Sequence, residues 1–242
     1  KLKKNPFDFK GFRVLVDQDV KGQFLSEATV KICVNGVDEH TASDGNGPVH
    51  ALDCAIKKAL IRFFLEIENL RLIEDSVAFL VERGREVIYD GEHFFDGYKA
   101  DADYALATLQ AAARGGARIV VLCDTNGGSL PHEVRSIFEE VKKSVSVKMG
   151  IHAHNDSEVA VANSLNAIQA GAEQVQGTIN GYGERCGNAN LVSIIPNLKI
   201  KMGINCVTDE QLQSLKDVSA FVDELANKAH WNQQLFVGKS AF

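Results

Sequence analysis

The run Ile119-Val120-Val121-Leu122-Cys123 decides how the fold of this chain is interpreted. Five successive apolar residues predict a strand that is covered on both faces, which is typical of a parallel sheet. Further short strands are predicted at 86–89, 148–153 and 174–178. Helical periodicity is predicted over residues 69–82, 101–113, 131–143, 158–170 and 209–226. The repeat of about 30 residues is the length of a βα unit, so the sequence predicts consecutive parallel βα units.

These repeats predict an α/β protein that contains part of a (β/α)8 TIM barrel. About four βα units are predicted, whereas eight close a barrel, so the chain is expected to supply the C-terminal half of one. We assign this partial barrel and the start of a linker to residues 65–242. In such a barrel the C-terminal ends of the strands meet at one rim, where active sites lie.

Residues 1–64 predict a small α+β unit of the order βββα. Alternating apolar residues predict strands over 12–16 and 28–34, and Asn35-Gly36 predicts a tight hairpin to a third strand over 37–42. A helix is predicted from Pro48 to about residue 63. The candidate buried residues are Phe12, Val14 and Val16 on the first strand and Val49, Leu52, Ile56, Leu60 and Phe63 on the helix. So small a unit has little core of its own, and we expect it to pair in a homodimer.

Composition restricts the class of protein. Hydrophobic residues make up 45% and charged residues 24%, which is typical of a globular protein in water. The net charge of -6 argues against a nucleic-acid or anionic-membrane partner, because those surfaces require clustered basic residues. No apolar run approaches the length needed to span a bilayer. Five scattered cysteines without a C-x-x-C pair favour a reducing, cytoplasmic setting.

The stretch Met-Gly-Ile-His-Ala-His-Asn-Asp, residues 149–156, carries the candidate chemistry. His152 and His154 are two residues apart at the end of a predicted strand, so both imidazoles should point to one face. Two neutral imidazoles can bind a divalent cation that keeps open positions. The alternative is one packed and one solvated histidine. Polar residues at the ends of the other three predicted strands favour the metal site.

Several motifs resemble one enzyme family. GIHAHND at 150–156, VANSL at 161–165 and GTINGYGERCGNANL at 177–191 resemble the 2-isopropylmalate, homocitrate and citramalate synthase family. EHFFDGY at 92–98 and CDTNGG at 123–128 resemble its citramalate synthase branch. Residues 10–64 resemble the first half of that family's regulatory domain.

The resemblance implies an acyltransferase that adds acetyl-CoA to pyruvate in a Claisen-type reaction, giving (R)-citramalate and CoA. It also implies feedback by isoleucine or another branched-chain amino acid, bound by a partial regulatory unit at residues 1–64. Three alternatives stay open. They are a 2-isopropylmalate or homocitrate synthase acting on another α-keto acid, a metal-dependent acyl-CoA lyase, and a non-catalytic amino-acid-sensing fragment.

The resemblance also implies roles for five residues. His152 and His154 would ligate a divalent metal ion (zinc, manganese, magnesium or cobalt), and Asn188 would approach it directly or through water. Thr125 would help to bind the keto acid. Glu92 would orient the acetyl group or assist proton transfer near it. The alternative for Glu92 and Thr125 is that they are solvated residues of the rim.

Other polar residues near these motifs have two interpretations each. Asp124 is either catalytic or caps a turn. Arg185 either contacts the substrate or forms an ion pair with Glu184. Asn155 and Asp156 are candidates for groups that orient the two histidines.

The sequence also departs from the family pattern. The family places the barrel before the regulatory domain, and here the order is reversed. The family's Arg-Asp-Gly motif, whose aspartate is a metal ligand, is absent, as are the first four barrel strands. We therefore expect this sequence to join segments of a longer protein.

Overall fold

The computed structural model describes residues 7–18, 24–64 and 72–241. Its contacts divide the chain into two compact units, Lys1–Leu72 and Ile73–Phe242. Each unit has its own cluster of buried apolar residues. Within the described residues, none of the helices combines the length and the apolar character that crossing a bilayer requires.

The first unit is an antiparallel sheet of three strands in the order β1-β2-β3, followed by one helix. Its elements are β1 Asp8–Gln18, β2 Phe24–Val34, β3 Val37–Gly45 and α1 Pro48–Leu60. The hairpin turn has positive φ at both Asn35 (51°) and Gly36 (84°), as the Asn-Gly pair predicts. The predicted βββα order is confirmed, and the third strand continues beyond its predicted end at residue 42.

The core of the first unit lies between β2 and α1. The alternating apolar residues of β2 are fully buried: Ala28, Val30, Ile32 and Val34. The helix presents a row of small residues to the sheet, namely Ala51, Ala55 and Ala59, and these are also fully buried. Helix and sheet lie close here, since a Cβ built on Gly45 would meet the backbone nitrogen of Ala51 at 2.3 Å. Such close contact favours alanine over larger residues.

Three residues of this unit that were predicted to be buried are exposed, so those predictions are wrong. Val49 is 71% exposed, because the helix turns its alanine face rather than its valine to the sheet. Phe12 and Val16 are 59% and 52% exposed. Both lie on the edge strand β1, where a single helix leaves part of the face uncovered.

The second unit is a four-stranded parallel sheet in the order β4-β5-β6-β7. Its strands are β4 Ile88–Gly91, β5 Ile119–Asp124, β6 Lys148–Ala153 and β7 Gln174–Gln176. All six residues of β5 are buried, as the unbroken apolar run predicts. The predicted series of four parallel strands is confirmed.

Helices connect the strands. They are α2 Leu72–Val81, α3 Phe94–Ala100, α4 Ala102–Arg114, α5 Pro131–Ser144, α6 Ala160–Ala170, α7 Leu191–Pro196, α8 Asp209–Gln213 and α9 Leu215–Leu225. A short 3-10 helix at Ile179–Gly181 and a π-helical turn at Asn197–Lys201 complete the unit. Residues 69–71 of the first predicted helix lie outside the described residues.

The sequence patterns missed two short helices and one break. α3 and α7 were not predicted because each is short, and α3 contains a glycine, which weakens a helical pattern. The helix predicted over 209–226 is two helices, α8 and α9. The hydroxyl of Ser214, at the break, donates to the Gln211 carbonyl at 2.9 Å, a local bond that competes with helix continuation.

Candidate metal and substrate site

The C-terminal ends of the parallel strands bring the predicted polar residues to one edge of the sheet. The register pairs His152 of β6 with Cys123 of β5 and with Gln176 of β7. Because paired residues of neighbouring strands share a face, the side chains of His152 and Gln176 lie side by side. His154 follows two residues later, after the strand, and is bridged to Asn188 from the loop after β7.

The two predicted histidines lie on the same side of their strand. Their Nε2 atoms are 3.4 Å apart, and the ring centroids are separated by 5.2 Å. A tetrahedral cation with metal–nitrogen bonds of about 2.1 Å holds two ligand nitrogens about 3.4 Å apart. The observed separation is long for a direct hydrogen bond, which is commonest at about 2.9–3.0 Å. The pair therefore has the geometry of two ligands to one ion.

The proton of His152 is placed by two residues behind it. Asp90 accepts a hydrogen bond from Nε2 of Gln176 at 2.9 Å, and this fixes the orientation of the amide. The amide oxygen of Gln176 then faces Nδ1 of His152 at 2.8 Å. Since an amide oxygen can only accept, Nδ1 of His152 carries the proton, and Nε2 keeps its lone pair toward His154. This arrangement of a histidine and its hydrogen-bond acceptor is common behind metal ligands.

His154 is held in the neutral form. Burial lowers its pKa, and the nearby His152 and Arg185 lower it further. A neutral imidazole is the form that binds metal ions. Its side chain is 8% exposed, and its Nδ1 is buried without a hydrogen-bond partner among the described residues.

The side-chain amide of Asn188 lies in the loop after β7, beside His154. Its Nδ2 donates to the carbonyl of Tyr182 at 3.3 Å, and its Oδ1 is buried with no partner among the described residues. Leaving a buried polar atom unpaired costs about 1–3 kcal/mol, so a ligand group at this oxygen would be stabilising. The amide packs directly on Gly183, where an added Cβ would lie 1.9 Å from Nδ2.

These residues fit a divalent cation as part of a ligand set. Two imidazoles and an amide oxygen are suitable donors for zinc, manganese or cobalt. In residues 7–18, 24–64 and 72–241, no group of three or more His, Cys, Asp or Glu side chains is arranged to hold a metal ion. A bound ion would therefore need further ligands from water, substrate or other parts of the protein.

Thr125 and Glu92 lie at the ends of neighbouring strands. The Thr125 hydroxyl accepts a hydrogen bond from the backbone N–H of His93 at 2.8 Å. A hydroxyl also carries one hydrogen that it can donate, and in the described part of the chain no acceptor is found for it. Glu92 directly follows β4, and its side chain is exposed.

An ion pair between Arg185 and Asp156 connects the loop after β7 to the segment after β6. Arg185 donates to both carboxylate oxygens of Asp156, at 2.8 and 3.0 Å, and to the carbonyl of Thr125 at 2.6 Å. Its distance to the predicted partner, Glu184, is longer at 3.7 Å. The hydrogen bond from Arg185 lowers the pKa of Asp156.

The side-chain oxygen of Asn155 accepts a hydrogen bond from the N–H of Ala160 at the start of α6. The structure thus gives Asn155 and Asp156 other partners than the histidines.

Asp124 lies on the helix-covered side of the sheet, where it is 1% exposed. It accepts hydrogen bonds from the hydroxyl of Ser129 at 3.0 Å and from its N–H at 3.3 Å. Burial raises the pKa of Asp124, and these bonds offset part of that effect. The contacts fit the turn-capping interpretation of this residue.

Fold and site together define a partial (β/α) barrel with a histidine pair at the rim. Residues 66–222 match the HMGL-like family, and the chain belongs to that family. Residues 1–120 match the LeuA allosteric (dimerisation) domain.

Several relatives of this chain carry the names that the resemblance indicated. The (R)-citramalate synthase of Geobacter sulfurreducens is 58% identical over 182 residues, which is 75% of this chain and 34% of that protein. The (R)-citramalate synthase of Synechocystis is 52% identical over 183 residues, 72% of this chain and 34% of that protein. The 2-isopropylmalate synthase of Methanocaldococcus jannaschii is 34% identical over 175 residues, 72% of this chain and 33% of that protein. The chain thus spans about a third of the length of these relatives, and the predicted family resemblance is confirmed.

A solved structure supports the fold. The HMG-CoA lyase of Bacillus subtilis superposes with a TM-score of 0.55 at 18% identity, covering 78% of this chain and 60% of that chain. At this identity the likeness concerns the fold alone. The predicted fold class, a partial TIM barrel with a small α+β unit, is confirmed.

Proposed function

We propose that this chain is part of an acetyl-CoA-condensing enzyme that converts pyruvate and acetyl-CoA to (R)-citramalate and CoA. The identity to (R)-citramalate synthases is 58% and 52%, against 34% to a 2-isopropylmalate synthase. These values support pyruvate over larger keto acids as the acceptor.

The observation that carries the metal-dependent part of the proposal is the 3.4 Å separation of the two Nε2 atoms. His152 and His154 would hold the ion. Oδ1 of Asn188, which has no hydrogen-bond partner within the described part of the chain, would contact the ion or its water. A bound divalent cation would supply Lewis-acid polarisation of the ketone of the keto acid. Gln176 keeps the proton of His152 on Nδ1, so Nε2 remains free as a donor.

Thr125 and Glu92 have proposed roles in binding and proton transfer. The hydroxyl hydrogen of Thr125 would be donated to the keto acid, because its oxygen already accepts from the backbone of His93. The exposed carboxylate of Glu92 would assist proton transfer near the acetyl group. Arg185 would act indirectly, by tying the loop after β7 to Asp156 and Thr125.

The organisation of the whole protein is also proposed. We assign regulation and dimerisation to residues 1–64 and catalysis to residues 65–242. The match to the LeuA allosteric (dimerisation) domain supports a homodimer. An isoleucine-like effector and a cytoplasmic location, the latter suggested by five free cysteines, complete the proposal.

CoA release by the intact enzyme that contains this chain tests the function. Release is measured with pyruvate, 2-oxoisovalerate and 2-oxoglutarate in turn. We expect the fastest release with pyruvate, and its loss in His152→Ala and His154→Ala but not in the control His132→Ala, an exposed histidine on α5. Fastest release with 2-oxoisovalerate would instead indicate a 2-isopropylmalate synthase. No release with any keto acid would refute an acyltransferase.

A further inference from the structure

A buried carboxylate away from the histidine pair joins three segments of the second unit. Asp223 lies on α9 and is 5% exposed. Its Oδ1 accepts hydrogen bonds from the Tyr182 hydroxyl and from Nδ2 of Asn180, each at 2.6 Å. Its Oδ2 lies 2.6 Å from Nδ1 of His230. A buried carboxylate is costly unless it is hydrogen-bonded, so these partners determine where it can lie.

The ionisation of this cluster is set by its hydrogen bonds. Burial acts to raise the pKa of Asp223, but the bonds from Tyr182 and His230 outweigh burial and the pKa is lowered. The bond to Asp223 raises the pKa of Tyr182 to about 12. Near neutral pH the carboxylate therefore accepts and the phenol donates.

The other end of Tyr182 contacts Asn188. The Tyr182 carbonyl accepts from the Thr178 hydroxyl at 2.5 Å and from Nδ2 of Asn188 at 3.3 Å. Because the amide nitrogen of Asn188 is bound here, the amide oxygen must point away from Tyr182. That oxygen is buried and has no hydrogen-bond partner among the described residues. The backbone N–H of Asn188 is also fixed, by the Gly181 carbonyl at 3.0 Å.

α9 holds the same loop at a second point. Asn180 has φ of +62°, a left-handed conformation that persists in a non-glycine residue where the surroundings hold it. Its Nδ2 donates to the carbonyl of Ser219 at 2.9 Å, and its Oδ1 accepts from the Ser219 hydroxyl at 2.6 Å. Ser219 is fully buried. Two successive turns of α9 thus fix the backbone that precedes Asn188.

We propose that Asp223 and Tyr182 are positioning residues for Asn188. Asp223 holds the Tyr182 hydroxyl, and the Tyr182 carbonyl holds the amide nitrogen of Asn188, so that the amide oxygen is presented to a divalent cation. The predicted effect on cation binding rests on the proposed metal site. The orientation of the Asn188 amide is a property of the chain itself and can be measured without metal. α9 thereby becomes a determinant of cation affinity although Asp223 does not touch the ion.

Two measurements on the chain test this inference. The first is titration with Co²⁺ alone, followed by its visible absorption, and the second is the ¹H–¹⁵N signal of the Asn188 side-chain amide without metal. Tyr182→Phe should weaken Co²⁺ binding about tenfold, since residues behind metal ligands typically change affinity 10–100-fold. It should also shift the Asn188 amide signal and speed its hydrogen exchange. The matched control is Tyr104→Phe, which removes an exposed hydroxyl on α4 and should change neither.

A second pair of variants tests the carboxylate. Asp223→Asn should lower the Co²⁺ affinity by the same factor as Tyr182→Phe. Its control is Asp217→Asn, which changes an exposed aspartate on the same helix and should leave the affinity unchanged. If Asp223→Asn does not fold, Tyr182→Phe alone decides, because it removes one oxygen and keeps the ring. An affinity within twofold of the parent and an unshifted Asn188 signal in folded Tyr182→Phe would overturn the inference.

The double variant separates positioning from general stability. In the Asn188→Ala background, Tyr182→Phe should cause no further loss of Co²⁺ affinity, because the residue through which it acts is gone. An equal loss in both backgrounds would overturn the inference. If the parent chain does not bind Co²⁺, the proposed metal site fails, and the Asn188 amide signal still decides whether Tyr182 orients it.

Discussion

Gln176→Leu offers a direct test of the histidine pair. This change keeps the approximate size of the side chain and removes the amide between Asp90 and His152. The Nδ1–H of His152 then loses its acceptor at a half-buried position. Leaving such a donor unpaired costs about 1–3 kcal/mol, and 1.4 kcal/mol is a factor of about ten in affinity. Without the amide, the ring is free to rotate or to move its proton to Nε2.

We therefore expect Gln176→Leu to weaken Co²⁺ binding roughly tenfold or more. Titration of the chain with Co²⁺ gives the affinity, and the ¹⁵N shifts of the His152 ring give its tautomer. In the parent the proton should reside on Nδ1, and in the variant it should be shared between the two nitrogens. The matched control is Gln213→Leu, an exposed glutamine at the end of α8, which should leave both measurements unchanged.

Two results would refute this reasoning. One is a Gln176→Leu variant with parental Co²⁺ affinity. The other is a parent in which Nε2 of His152 carries the proton, because then this nitrogen would have no lone pair for a cation.

Three further changes have expected outcomes. Gly183→Ala should abolish most Co²⁺ binding, because a Cβ there would lie 1.9 Å from the side-chain nitrogen of Asn188. Phe138→Ala removes a fully buried ring of the second unit and should lower the free energy of unfolding by about 3–5 kcal/mol, measured by urea denaturation. Asp156→Asn should lower stability at neutral pH, and its difference from the parent should disappear in acid. The folded pKa of Asp156 is lowered, so its contribution is present above the ordinary aspartate pKa and is lost as pH falls through the lowered value.

Each of these has a control. Gly128→Ala adds a methyl group where nothing lies within 4 Å and should bind Co²⁺ like the parent. Phe221→Ala changes a 58% exposed ring and should have a small effect on unfolding. For Asp156→Asn the control is Asp103→Asn, an exposed aspartate in the first turn of α4. Equal effects of a variant and its control would contradict the corresponding argument.

The alternation of strands and helices was predictable because it depends on local patterns. The apolar run of β5 is visible in a single segment of sequence, and so are most breaks between elements, although not the one at Ser214. The buried face of α1 was not predictable in this way. Its alanines, Ala51, Ala55 and Ala59, are less hydrophobic than the other apolar residues of the helix, so the apolar periodicity favours the larger residues. Close approach of helix and sheet at Gly45, a tertiary effect, decides in favour of the alanines.

The histidine pair could be found from sequence because His152 lies at the end of β6 and His154 follows two residues later, so alternation along extended backbone places both on one face. The residues behind them could not. Asp90 and Gln176 are 86 residues apart, and their contact depends on the order and register of β4 to β7. Asp223 and Tyr182 are similarly distant, 41 residues apart, and neither lies in a pattern that marks it as polar and buried.

These two pairs act on their ligands in different ways. Asp90 and Gln176 form a continuous chain of hydrogen bonds to the ring of His152, so they fix the orientation and the tautomer of this ring. Asp223 and Tyr182 form a mechanical link, because the hydroxyl and the carbonyl of Tyr182 are separated by saturated bonds. Gln176→Leu breaks this chain and should therefore change the ring ¹⁵N shifts of His152, whereas Asp223→Asn should leave them unchanged. Asp223→Asn should instead shift the side-chain amide signal of Asn188, so the two NMR signals, recorded without metal, distinguish the two routes. A change of both signals in either variant would contradict this separation.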